Sequence, residues 1–170
     1  MGPPTPKPNS VALTCGEPAS IAPEITARAW LALRDNGAAP FFLIGDSDYF
    51  SSRASVAGIA IASMKISMPG EAHDVFPTAL PILHRPLAVH PRPGVIDPAT
   101  ARSVIAAIDE GASLAMAGEA AALVTNPIQK ESLYAAGFRH QGHTYYLAAI
   151  AGRQGQKGHE VMMLVARDLR

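Results

Sequence analysis

Short, nearly uninterrupted apolar runs, each halted by glycine, proline or asparagine, constrain the fold of this chain most. Ser10-Val11-Ala12-Leu13-Thr14 runs into Gly16 and Pro18. Phe41-Phe42-Leu43-Ile44 runs into Gly45 and Asp46, and Ala121-Ala122-Leu123-Val124-Thr125 into Asn126 and Pro127. A strand apolar along its whole length is covered on both faces, as in a mainly parallel sheet. Between the runs, apolar residues recur at helical spacing. Ile25, Ala29 and Leu33 form one stripe, and Ala101, Val104, Ile105, Ile108, Ala112 and Ala115 form another. Strand and helix therefore alternate. The pattern predicts an α/β fold with a mainly parallel sheet flanked by helices.

The boundaries follow from breakers and caps. A helix over residues 21–34 has Ser20 as its cap, tolerates Pro23 in its first turn and ends at Gly37. Asp46 caps a helix reaching about Val56. Ile59–Ile66 and Pro81–His84 read as further strands. Prolines 86, 91, 93 and 98 otherwise leave residues 67–96 as extended chain and turns. Asp97-Pro98 opens the helix that carries the second stripe to Gly118. A short helix follows Pro127 and ends at Gly137, His143–Ile150 is helical, and Val161-Met162-Met163-Leu164-Val165 is expected as one more buried strand. Residues 1–9, rich in proline, read as a disordered tail with no apolar core of a secretory signal. Residues 10–125 are expected to form the first α/β lobe, and residues 126–170 the start of a second, truncated one.

The formal net charge is zero, which argues against nonspecific nucleic-acid binding. No apolar run is long enough to span a bilayer. Cys15 is the sole cysteine, so an intrachain disulfide is impossible, and a reducing, cytoplasmic setting is expected.

Three stretches carry polar groups at strand ends, where open α/β sheets bind ligands. Gly16-Glu17-Pro18-Ala19-Ser20 leads from the first strand into a helix, without the Gly-x-Gly-x-x-Gly spacing of a dinucleotide turn. Alone it also reads as a plain capped turn. Thr125-Asn126-Pro127-Ile128-Gln129-Lys130 offers two donors to an oxyanion and a cation, or else an Asn-Pro turn with a solvated lysine. Gly142-His143-Thr144 sets an imidazole, a hydroxyl and backbone N–H groups before a helix start, which suits an anionic small molecule. His140 and His143 are three apart, but Gly142 interrupts a regular helix and no third ligand is near, so a metal site there is disfavoured. His73, His84, His90 and His159 lie in loop-like sequence and default to the surface. Cys15 defaults to a small buried hydrophobe.

These stretches together resemble the 4-hydroxythreonine-4-phosphate dehydrogenase family of pyridoxal phosphate biosynthesis. The matching segments are Leu13–Ala19 through Pro23-Glu24-Ile25, Ala121–Lys130, Gly142-His143-Thr144 and Val161–Leu164, in that order. The resemblance covers most of the chain from Ser10 and is weakest over residues 46–96. It implies a fold like part of the isocitrate and isopropylmalate dehydrogenases, and a homodimer. It implies NAD as hydride acceptor, a divalent metal (Zn, Mg or Co) and a small phosphorylated hydroxy-acid substrate that is oxidised and decarboxylated. By motif, His143 and Thr144 bind substrate, with Lys130, Asn126, Thr125, Glu17 and Gly16 in support. The family's three metal-binding histidines and its phosphate clamp have no counterpart here and the catalytic residues are not identified, so this chain is expected to be inactive alone. Ser20 and Ala22 replace family glycines, and Tyr145 replaces a glutamate. A dehydrogenase of another four-carbon sugar-acid phosphate (erythronate or threonate type) fits the same motifs. So does a noncatalytic truncated binding module.

Overall fold

The computed structural model describes residues 10–153, 155 and 160–165. The tail expected at residues 1–9, His159 and residues 166–170 lie outside the described residues. Five strands, β1 (Val11–Thr14), β2 (Phe41–Gly45), β3 (Ser63–Ile66), β4 (Leu80–His84) and β5 (Leu123–Val124), form one sheet in the order β3-β4-β2-β1-β5. Every pairing is parallel, with Val11 opposite Phe41 and Ala12 opposite Leu123. The α/β class with a parallel sheet is therefore observed.

The alternation along β2 shows why the apolar runs are continuous. Phe41 and Leu43 join one core with Leu13, Ile82 and Trp30, whereas Phe42 and Ile44 join another with Ala12, Leu83 and Ala107. Helices α1 (Ala22–Leu33) and α2 (Ser47–Val56) serve the first core. Helix α3 (Ala72–Val75) and helix α4 (Ala101–Met116) serve the second. Gly111 lets α4 approach closely, because a Cβ there would lie 2.5 Å from Leu123 Cδ1. Val104, Ile108 and Ala112 of α4 meet Leu133 of α5 (Lys130–Ala135) and Tyr146 and Ile150 of α6 (His143–Arg153) in a third core. Among the described residues no helix is long and apolar enough to cross a membrane.

Four expectations are corrected. In α1 the buried face is Ala22, Pro23, Thr26, Ala27 and Trp30, while Ile25 is 40% exposed. The helix turns to bury the indole, whose Nε1 donates to Phe76 O at 2.9 Å. Ala29 and Leu33 pack, partly buried, against the edge of the same core, and with Ile25 they border a groove of about 480 Å³ beside β1 and β5. The run at residues 121–125 yields only a two-residue edge strand with Val124 half exposed, because β5 pairs on one side only. Residues 67–96 contain α3 and a 3₁₀ turn at Pro69–Glu71 that the proline pattern hides. Val161–Val165 forms no strand and its side chains stand exposed, since no described strand offers it a ladder partner.

Asp46 behaves as expected: its Oδ1 accepts from Asp48 N and Tyr49 N at 2.9 and 3.0 Å. Its Oδ2 takes Leu87 N at 2.9 Å and meets His90 Nε2 at 3.2 Å, so it also straps the proline-rich segment to α2. Burial opposes its ionisation, but the hydrogen bonds from Tyr49, Leu87, His90 and Asp48 outweigh burial and hold the carboxyl below 3.8. Asp46→Ala should cost about 1 kcal/mol in urea unfolding at neutral pH. The depressed native value places that stability above pH 3.8, so the difference from wild type should shrink as pH falls below it.

Candidate functional site

Parallel pairing sets the carboxyl ends of β1 and β5 side by side, and Gly16 seals the junction. Its φ is +64°, and a Cβ there would lie 2.6 Å from Asn126 Cβ and 2.7 Å from Pro127 O. Glu17 N donates to Pro127 O at 2.9 Å. Asn126 is buried: its N–H is received by Thr14 Oγ1, and its Nδ2 donates to Thr14 O at 2.8 Å and Thr26 Oγ1 at 2.9 Å. Both amide protons are spent, so the expectation that Asn126 donates to a ligand oxyanion gives way to a structural role. Thr125 borders the apolar groove beside α1. No residue other than glycine has a positive φ among the described residues, so Ser20 and Ala22 sit without strain.

The turn at residues 127–129 then starts α5, where Gln129 Oε1 caps Ser132 N at 2.8 Å. Lys130 opens α5 and His143 opens α6. Burial first, and then the Lys130 charge, hold the imidazole below the usual 6.5. His143 Nε2 is buried and has no hydrogen-bond partner. Thr144 is half-buried beside it, and Tyr145 points to solvent. A ring nitrogen without a partner and a lysine charge near it are groups chemically suited to an anionic oxygen. Lys130, His143 and Thr144 are thus brought together, whereas Gly16, Thr125 and Asn126 build the frame behind them.

A cleft of about 280 Å³ runs between the strap and this turn, bordered by Glu17, Ser20, Gly94, Ile128 and Gln129. Its opposite wall depends on residues that carried no signal in the sequence. Arg53, 5% exposed, donates to Pro18 O, Ser20 O and Glu24 Oε1. The Tyr49 hydroxyl lies 3.0 Å from Pro18 O and 3.1 Å from Pro91 O. Burial pushes the Cys15 thiol up to about 12, which keeps it an inert neutral group. Two of the histidines expected at the surface are engaged: His84 Nδ1 accepts from Ser47 N at 3.2 Å, and His90 meets Asp46. His140 meets Phe138 edge-on and Tyr146 at a tilt in an aromatic group. No cluster of three or more His, Cys, Asp or Glu suited to a metal ion occurs among the described residues.

A sequence profile described as pyridoxal phosphate biosynthetic protein PdxA matches residues 37–170. The chain is 39% identical over 160 residues to the 4-hydroxythreonine-4-phosphate dehydrogenase of Methylorubrum extorquens, covering 93% of this chain and 46% of that protein. It is 42% identical over 166 residues to the same-named protein of Caulobacter vibrioides, covering 94% of this chain and 47% of that one. The crystal structure of the dehydrogenase from Klebsiella pneumoniae superposes with a TM-score of 0.72 at 27% identity, over 85% of this chain and 45% of that one. The chain thus spans about half the length of the relatives it matches.

Proposed function

The chain belongs to the pyridoxal phosphate biosynthetic protein PdxA family, and from that premise we propose that it forms the N-terminal portion of a dehydrogenase. That enzyme oxidises and decarboxylates 4-phosphohydroxy-L-threonine, with NAD as hydride acceptor, in a homodimer. One observation carries this chain's part in it: the unpartnered, buried His143 Nε2 beside the Lys130 charge at the start of α6. His143 and Thr144 hold the substrate by hydrogen bonds of fixed direction, and Lys130 balances its negative charge. Neutrality suits His143 to this task, because one ring nitrogen can donate while the other accepts. The frame of Gly16, Asn126 and Thr14 keeps these groups in register with the strand ends.

No group of three or more His, Cys, Asp or Glu suited to a metal ion occurs among the described residues. No chemical step through metal or dinucleotide is therefore assigned to this chain. Its share is substrate holding.

The chain alone is expected to form no NADH from 4-phosphohydroxythreonine, NAD and Zn²⁺ or Mg²⁺. Fused to the C-terminal half of the Methylorubrum relative, it is expected to turn over. His143→Ala in the fusion should lower kcat/KM about 10- to 100-fold through the loss of a hydrogen bond to a charged ligand. Turnover by the chain alone, a silent fusion that still binds NAD and substrate, or an unaffected variant would overturn the reading.

A further inference from the structure

One corner of the sheet is covered on one face only. Leu123 of β5 packs against α4, where Gly111 admits it. Val124, the next residue, points to the opposite face and is half exposed. There it joins Val11 and Leu13 of β1 and Ile25, Ala29 and Leu33 of α1 around the groove of about 480 Å³. Because β5 pairs on one side only, no further strand closes that flank among the described residues. A parallel sheet is ordinarily covered on both faces.

Helix α1 points the same way. Glu24 and Arg28 are its only charged residues, and Glu24 is paired with Arg53. Ala27 and Trp30 face the first core, while Ile25 and Leu31 are 40% and 38% exposed. A helix apolar nearly all round belongs inside a larger body. Small-molecule sites keep a few free polar groups that fix a ligand's orientation. On the border of this groove Thr26 and Asn126 are spent on each other, with Asn126 Nδ2 donating to Thr26 Oγ1 at 2.9 Å. The uncovered face therefore suits apolar protein surface. The Methylorubrum protein is matched over 46% of its length and the Klebsiella structure over 45%, so each carries about as much chain again.

We propose that the groove seats a helix from the second half of a PdxA-family chain, laid beside α1 with its apolar side against Val11, Leu13 and Val124. Helices α1 and α2 already cover the rest of this face, so one more completes the layer. The seam so formed lies on the face of the sheet away from α5 and α6, which pack with α4 and carry Lys130 and His143. It joins the two halves without touching the candidate substrate site. The proposal rests on the reading of this chain as the N-terminal portion of a longer enzyme, and it is independent of what His143 binds.

Thiol labelling tests this. Cys15 is a poor target, because burial pushes its thiol up to about 12. Ile25→Cys, Val124→Cys and, as a remote control, Val56→Cys at the 74% exposed end of α2 each add one accessible thiol. In the chain alone all three should react with a maleimide. In the chain fused to the C-terminal half of the Methylorubrum relative, Ile25→Cys and Val124→Cys should react at least about tenfold more slowly, since a packed seam has to open first. Val56→Cys should react as before. A second fusion, to the C-terminal half of the Caulobacter relative, repeats the measurement so that one misfolded hybrid does not decide it. Undiminished reaction at positions 25 and 124 in both fusions overturns the proposal. So does protection of both positions in the chain alone at twice the monomer mass in sedimentation, because a second copy then fills the groove. Failure of the dehydrogenase reading would look different: fusions that form no NADH while positions 25 and 124 stay protected. Turnover with both positions reactive would sink the groove alone.

Discussion

Gly16→Ala is expected to destabilise the chain by about 3 kcal/mol. Two costs combine. A φ of +64° is strained for any residue with a Cβ, and that Cβ would press on Asn126 Cβ at 2.6 Å and Pro127 O at 2.7 Å. Neither neighbour is a flexible tip that can swing aside. Asn126 is pinned to Thr14 and Thr26, and Pro127 O already accepts from Glu17 N. Relief has to come from parting the loops after β1 and β5, which would also shift Lys130. Urea unfolding measures the loss directly. A cost below about 1 kcal/mol would mean that the junction is looser than the close approach implies.

Trp30→Ala should cost about 4 kcal/mol. The indole is fully buried among Leu43, Phe50, Phe76 and Ile82, and its N–H satisfies Phe76 O. Alanine would leave a cavity and an unpaired carbonyl together. Set against a typical stability of about 5–15 kcal/mol, most of the folded population is at risk. Trp30→Phe separates the two costs, because it restores much of the volume and leaves the carbonyl unmet. Thermal unfolding of both variants should place Trp30→Phe between wild type and Trp30→Ala.

These two residues also show what the sequence reveals and what it hides. The central strands were readable because Phe41–Ile44 is buried on both faces, and Asp46 because a cap acts within three residues of itself. The rotation of α1 was not readable. Ile25, Ala29 and Leu33 make the more regular stripe, yet the hydrogen bond that orients the helix runs from Trp30 to a carbonyl 46 residues away. The strand expected at Val161–Val165 failed for the converse reason: composition supplies apolar side chains, but a strand also needs a neighbour. At the site, His143, Thr144 and Lys130 stood out as residue types suited to an anion. Asn126 looked equally suitable, and only its buried amide bonds show it to be part of the frame. Arg53 and Tyr49 shape the opposite wall from a helix whose sequence offers no cue, since their targets are backbone carbonyls of a distant loop.

His143 and Thr144 are proposed to receive an anionic hydroxy acid beside Lys130. The most direct test is NMR titration of the isolated chain with 4-phosphohydroxythreonine, following the His143 ring and the amides of residues 143 and 144. Saturable shifts there, abolished in His143→Ala and weakened in Lys130→Met, are the predicted result. Shifts confined to other surfaces, or an identical response in His143→Ala, would contradict it.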